Sequence, residues 1–203
     1  MEVERIIMLT DTAIILAGGK SKRMGFDKQE VLIDHKLAAV YIADLLSEVF
    51  SDVIIVSNKP HLYPDADYTI LEDNIKDFGP LGGLYTGLIH GKSDFAYLIA
   101  CDMPKVNLDY IRYMKELIEK DPHFDVLVTL FHDGMTEPFN AFYSKSNIKI
   151  IEELLAEDKP RIKELYDRVP TRFVSETEAR RFSPDWSMFY NMNTKGDLEG
   201  FRR

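Results

Sequence analysis

Short apolar runs that read as β-strands alternate along this chain with segments whose apolar residues recur at helical spacing. No other feature restricts the fold as much. The strand-like runs are residues 12–17, 52–56, 68–71, 95–100, 126–131, 139–143 and 171–174. The helix-like segments are 36–50, 80–91, 107–120, 147–156, 160–168 and a short last one at 195–201. In the first of these, Leu37, Val40, Tyr41, Leu45 and Val49 share a face; Pro80 suits a first helical turn and Asn107 an N-cap. Strand, crossover helix, strand, repeated, predicts a mostly parallel sheet with helices on both faces. Asp133-Gly134 between two strand-like runs signals a hairpin, hence one antiparallel excursion. In such sheets ligands lie beyond the carboxyl ends of the strands.

The first strand runs into Ala17-Gly18-Gly19-Lys20-Ser21-Lys22-Arg23-Met24-Gly25-Phe26-Asp27-Lys28. Glycines let backbone N–H groups approach an anion closely, and the cations at Lys20, Lys22, Arg23 and Lys28 neutralise it. A nucleoside triphosphate needs this combination. It is not a P-loop, because the first glycine of G-x-x-x-x-G-K-[ST] is replaced by Ile14, inside the strand. G-x-G-x-x-G is absent as well. A basic surface turn that binds nothing is the bland alternative.

The run Leu16-Ala17-Gly18-Gly19-Lys20-Ser21-Lys22-Arg23-Met24-Gly25-Phe26-Asp27-Lys28 resembles the signature L-A-G-G-x-S-x-R-M-G-x-D-K of molybdenum cofactor guanylyltransferases, the MobA family. The resemblance implies nucleotide binding at Leu16, Ala17, Gly18, Gly19 and Lys28, with Arg23 and Lys28 catalytic. Gly18-Gly19, where related cytidylyltransferases carry Ala-Ala-Gly, points to guanine by the same resemblance.

Other strand ends carry further parts of the pattern. Cys101-Asp102-Met103-Pro104 closes the run 95–100. Taken alone, Asp102 reads equally as a turn cap or as a hard oxygen ligand for Mg²⁺. The family's C-D-x-P favours a catalytic, nucleotide- and metal-binding aspartate there. Asp73, before Gly79-Pro80-Leu81-Gly82-Gly83, matches the family's nucleotide-contacting Asp. The glycines of that segment would let backbone lie close to base or ribose. Asn58, after residues 52–56, is expected as a further nucleotide contact. Asn191-Met192-Asn193-Thr194 resembles N-[IVM]-N-T, which implies Asn193 as a second metal or phosphate residue. Lys195 stands where the family has proline, and an ordinary helix cap explains the same turn. Glu137-Pro138-Phe139-Asn140-Ala141-Phe142-Tyr143 resembles P-[LT]-x-A-L-Y, which implies Asn140 and Tyr143 at the acceptor. Arg161 sits where the family has an Arg-containing helix start, which implies it at the acceptor phosphate, with a solvated helix face as the alternative.

The chain has 203 residues, 45% hydrophobic and 29% charged, with a net charge of -9 and one cysteine, Cys101. That suits one domain over 1–203, with residues 1–11 as a flexible N-terminal extension. An acidic body with one basic loop disfavours a nucleic-acid partner and concentrates an anion at one place. A single cysteine allows no internal disulfide, and no apolar stretch has the length of a membrane span, so a cytoplasmic, non-membrane protein is expected. None of the five histidines has zinc-ligand spacing with a partner.

The fold class expected is α/β, a Rossmann-like three-layer fold with a mostly parallel sheet and one antiparallel excursion. The activity implied by the resemblance is transfer of GMP from GTP to molybdenum-molybdopterin, with Mg²⁺ as cofactor. Partners would be those two substrates, with transient contacts to other cofactor-pathway proteins and apo-molybdoenzymes. The alternatives are a cytidylyltransferase or other small-molecule nucleotidyltransferase, and a non-catalytic nucleotide- or cofactor-binding accessory protein.

Overall fold

The computed structural model describes residues 9–18, 28–73, 75, 78–158, 160–192 and 197. In chain order the elements are β1 (Thr12–Leu16), a small hairpin of β2 (Leu32–Ile33) and β3 (Lys36–Leu37), α1 (Ala38–Leu46), β4 (Asp52–Ser57), β5 (Thr69–Glu72), α2 (Pro80–His90), β6 (Phe95–Ala100), α3 (Leu108–Lys120), β7 (Val126–Leu130), β8 (Thr136–Ser144), α4 (Ile148–Leu155), β9 (Thr171–Ser175) and α5 (Glu176–Ala179). Short 3₁₀ turns lie between them, among them Lys28–Glu30 and Ile162–Leu165.

The main sheet is ordered β5-β4-β1-β6-β8-β7-β9. All its neighbours pair parallel except β8, which runs antiparallel to both β6 and β7. The hairpin feeding β8 is the one signalled by Asp133-Gly134: Gly134 takes φ 82° and its N–H donates to the Phe131 carbonyl.

Successive residues of a strand face opposite sides of a sheet. Ala13 and Ile15 of β1 therefore join the core under α1 and α3, while Ile14 and Leu16 join the core under α2 and α4. Both faces being covered, β1 is apolar throughout rather than alternating.

Helix α2 lies unusually close to β1. A Cβ at Gly83 would stand 2.8 Å from Leu16, one at Gly87 2.5 Å from Ile14, and one at Gly91 2.8 Å from Thr12. Four helical residues rise about 6 Å, and two strand residues about 6.6 Å. Every fourth residue of the helix thus meets every second residue of the strand, and glycine at each meeting point lets the two backbones approach. That contact fixes where the first turn of α2 sits above the carboxyl end of β1.

Three expectations change. The helix expected over 36–50 starts at Ala38, because Asp34 (φ 47°) and His35 (φ 66°) form a left-handed turn that folds Lys36–Leu37 back on Leu32–Ile33. Residues 160–168 hold only the 3₁₀ turn Ile162–Leu165. Residues 9–11, counted above with a flexible extension, are tied to the sheet: the Leu9 carbonyl accepts from Phe95 N–H at 2.9 Å, and that of Asp11 from Asp52 N–H at 3.2 Å. The expected helix at 195–201 lies outside the described residues apart from 197, as do residues 1–8 of the extension. Among the described residues no helix is long and apolar enough to cross a membrane.

Candidate active site

The chain leaves β1 for β4 and β5 on one side and returns to β6 on the other. At that reversal the carboxyl ends of β1, β4, β5 and β6 face a common edge, where open α/β sheets bind ligands. Backbone bonds hold the strand ends in place: Ala17 N–H donates to the Val56 carbonyl at 2.8 Å, and Cys101 N–H to the Leu16 carbonyl at 3.0 Å. Gly18, the next residue on, is exposed, and a Cβ there would meet nothing within 4 Å. Among the described residues, packing therefore does not require this glycine.

The 3₁₀ turn Lys28–Glu30 brings the far end of the basic loop back onto two strand ends. Lys28 Nζ stands 2.5 Å from Asp102 Oδ2, with both side chains partly buried. Gln29 is almost fully buried. Its amide nitrogen donates to Asn58 Oδ1 at 2.7 Å, and its Oε1 accepts from Ser57 Oγ at 2.5 Å. Glu30 pairs with Lys59 at 3.2 Å. Charge and polar contacts thus clamp the loop to β6 through Lys28 and to β4 through Gln29. Gln29 is a site residue that sequence reasoning did not single out; its position directly after Lys28 was the only signal. Asn58 is at the edge as expected, with its side-chain oxygen occupied by Gln29. Gly19 and Arg23 lie outside the described residues.

Asp73 follows β5, and its Oδ1 accepts from Ile75 N–H at 3.2 Å. Burial pushes its carboxyl above the usual range, while that backbone bond acts the other way. A Cβ at Gly82 would lie 2.9 Å from the Ile75 carbonyl oxygen and 3.5 Å from Asp73 Oδ1. The glycines of Gly79-Pro80-Leu81-Gly82-Gly83 therefore have internal reasons. Gly79 takes φ 56° at the N-cap, Gly82 admits the Asp73 loop, and Gly83 admits Leu16. At Gly82 and Gly83 the close approach expected for base or ribose is taken up by the protein itself.

Asp102 lies in the turn after β6, and its carbonyl accepts from Met192 N–H at 2.8 Å. That bond brings the Asn191-Met192 segment to the same edge; Asn193 itself lies outside the described residues. Among the described residues no group of three or more His, Cys, Asp and Glu is gathered for a metal. Mg²⁺ commonly needs no such group, since it binds through one or two carboxylates, waters and substrate phosphates. The Asp102 carboxylate, already drawing a cation to 2.5 Å, has the donor chemistry for it.

The acceptor assignments fare differently. Asn140 is only 2% exposed. Its Oδ1 accepts from the Tyr97 hydroxyl, and its Nδ2 donates to the Met188 carbonyl at 2.9 Å. Tyr143 is fully buried, with its hydroxyl donating to the Pro138 carbonyl at 2.8 Å and lying 3.1 Å from the Tyr166 hydroxyl. Neither side chain reaches a surface an acceptor could touch; both brace the strand they stand on. Arg161 is exposed, with its Nε bonded to Glu164 at 3.0 Å, ahead of the Ile162–Leu165 turn. Glu137, at the start of the same strand, is half-buried, and burial pushes its carboxyl up to about 7. It was not among the residues expected from sequence.

Comparison with known proteins places this edge in context. The family described as MobA-like NTP transferase domain matches residues 13–172. A probable molybdenum cofactor guanylyltransferase of Peptoclostridium acidaminophilum is 47% identical over 197 residues, covering 95% of this chain and 89% of that protein. The molybdenum cofactor guanylyltransferase of Syntrophotalea carbinolica is 45% identical over 192 residues, covering 95% and 90%. Among solved structures, molybdopterin-guanine dinucleotide biosynthesis protein A from Archaeoglobus fulgidus superposes with a TM-score of 0.79 at 22% identity, covering 93% of this chain and 95% of that one. At that identity the likeness concerns the fold.

Proposed function

The chain belongs to the MobA-like NTP transferase family, and from that premise we propose that it transfers GMP from GTP to the terminal phosphate of molybdenum-bearing molybdopterin. An oxygen of the acceptor phosphate attacks the α-phosphorus of GTP. The bond from that phosphorus to the oxygen bridging to the β-phosphate breaks, and pyrophosphate leaves with the electron pair. The products are the guanine dinucleotide form of the cofactor and pyrophosphate.

One observation carries the reading: Lys28, which ends the loop signature, and Asp102, which ends β6, meet at 2.5 Å although 74 residues separate them. An in-line phosphoryl displacement asks for positioning and charge neutralisation more than for proton transfer. Lys28 would hold positive charge against the α-phosphate and the leaving group. The backbone at Gly18 stands at the edge where the nucleotide would lie. Asp73, fixed by Ile75 and by the first turn of α2, would bind the nucleoside end. Arg23 and Gly19 take their expected phosphate roles from the loop signature alone, and Asn193 its role from the N-x-N-T turn. Asp102 would hold Mg²⁺, which when bound neutralises charge on phosphate oxygens.

The test is pyrophosphate release by the purified protein with Mg²⁺ and molybdenum-loaded molybdopterin, comparing GTP, CTP, ATP and UTP. Release with GTP alone is expected. Release with CTP would overturn the base assignment and leave the chemistry standing. No release with any triphosphate, from a folded protein that binds one, would overturn the transfer reaction.

A further inference from the structure

The β6–β8 pairing ends short of the active edge. Its antiparallel register runs Phe95↔Ser144, Tyr97↔Phe142, Leu98↔Ala141, and no pair follows. Carried forward residue by residue, that register would set Glu137 opposite Asp102. The ladder stops short because Asn140 takes a left-handed φ of 49° and Pro138 has no N–H to donate. Beyond the stop, β8 keeps its bonds to β7, with Glu137 beside Thr129, and leaves β6. Past Leu98↔Ala141 the two strands, paired lower down, are no longer hydrogen-bonded to each other. Asp102 follows one of them, and Glu137 stands on the other.

The Glu137 side is rigid. Tyr143 reaches up from the core to bond the Pro138 carbonyl, and Tyr166 backs that hydroxyl. Phe139 N–H donates to Glu137 Oε1 at 3.1 Å, which fixes the carboxylate's direction. The fields it feels come from Lys163, which attracts, and from Asp102, which repels. No donor is recorded for Oε2 among the described residues. A half-buried carboxylate with one oxygen fixed and the other free is arranged to accept from a ligand.

Building on the guanylyl-transfer reading, we infer that Glu137 is a specificity-determining residue on the acceptor side, its free oxygen accepting an N–H from the acceptor's ring. The chemistry matches: a pterin offers a 2-amino group and an adjacent ring N–H, the donors a carboxylate binds best. The acceptor's phosphate would then point towards Asp102 and Lys28, and Lys163 adds a cation on the Glu137 side.

The test is steady-state kinetics of Glu137→Gln beside the native protein, with GTP and molybdenum-loaded molybdopterin each varied in turn. Gln keeps the oxygen that Phe139 bonds and replaces the free acceptor oxygen by a donor. Loss of one charge-assisted hydrogen bond should raise the acceptor KM roughly ten- to hundredfold. The GTP KM should stay within about twofold, and the melting temperature should not fall. An unchanged acceptor KM overturns the inference, because it leaves Glu137 only the bond to Phe139 that Gln retains. A rise in the Mg²⁺ or GTP requirement in place of the acceptor's overturns it too. Native protein that fails to use GTP defeats the transfer reading itself, whereas native turnover with an indifferent variant defeats only this inference.

Discussion

Gly87→Ala is the sharpest test of how α2 is seated. The added methyl would lie 2.5 Å from Ile14 Cδ1 and 2.7 Å from both Ile14 Cγ atoms. Carbon atoms in contact prefer about 3.5–4.0 Å, so helix or strand must move by about an ångström. Ile14 is fully buried in the centre of the sheet, between partners on β4 and β6, and has nowhere to go. Overpacking of this kind costs about 1–3 kcal/mol. Alanine returns up to about 1 kcal/mol of helix propensity. The net loss should be about 1–2 kcal/mol, a fall in melting temperature of roughly 2–8 °C for a chain of this length. Ile14→Ala deletes all three clashing atoms and leaves a cavity. In that background Gly87→Ala should stabilise, because the methyl enters empty space and the propensity gain is no longer opposed. The four proteins are compared by thermal unfolding. If Gly87→Ala raises the melting temperature in the native background, or if the two changes add within about 0.5 kcal/mol, the close helix–strand contact is not what requires glycine.

Other predictions follow from the site and its supports. Lys28→Met should lower kcat by roughly a hundredfold or more, the usual loss of one preorganised contact to transition-state charge, with little change in unfolding; near-native turnover would remove Lys28 from the chemistry. Asn140→Ala should destabilise by about 2–4 kcal/mol, since it strands the buried Tyr97 hydroxyl and the Met188 carbonyl and puts alanine at a left-handed φ; a loss below about 1 kcal/mol in urea unfolding would refute that role. Burial raises the Glu137 carboxyl from 4.5 to about 7, so the folded protein holds this proton where the unfolded chain has released it. Its contribution to stability is therefore fully present below about pH 4.5 and is lost as pH rises to about 7, by at most about 3 kcal/mol. Glu137→Gln should then be near neutral at pH 5 and stabilising at pH 8, and an equal effect at both would show the carboxyl to be unperturbed.

The sheet was legible because its central strands β1, β4 and β6 are buried on both faces and so appear as uninterrupted apolar runs. Residues 95–100 of the sequence reading coincide with β6, and the Asp133-Gly134 turn announced the antiparallel strand. Local exceptions were less visible. Asp34 and His35 adopt left-handed backbone without glycine, so the 36–50 pattern gave no sign that its first residues turn back into a hairpin. The placing of the candidate residues was legible at strand ends: Lys28 and Asp102, singled out separately, meet at one edge. It was misread on β8, where strand alternation cannot tell which residues turn inward. There Asn140 turns to the Tyr97 side with Phe142, and Tyr143 to the opposite side with Ala141; both faces are covered, so both side chains go into a core. The β6–β8 ladder ends at Leu98↔Ala141, next to the left-handed Asn140, which leaves Glu137 unpaired with β6. Where the proposed acceptor residue Glu137 stands relative to Asp102 follows from a ladder that ends at Leu98↔Ala141, an ending that residue spacing alone does not locate.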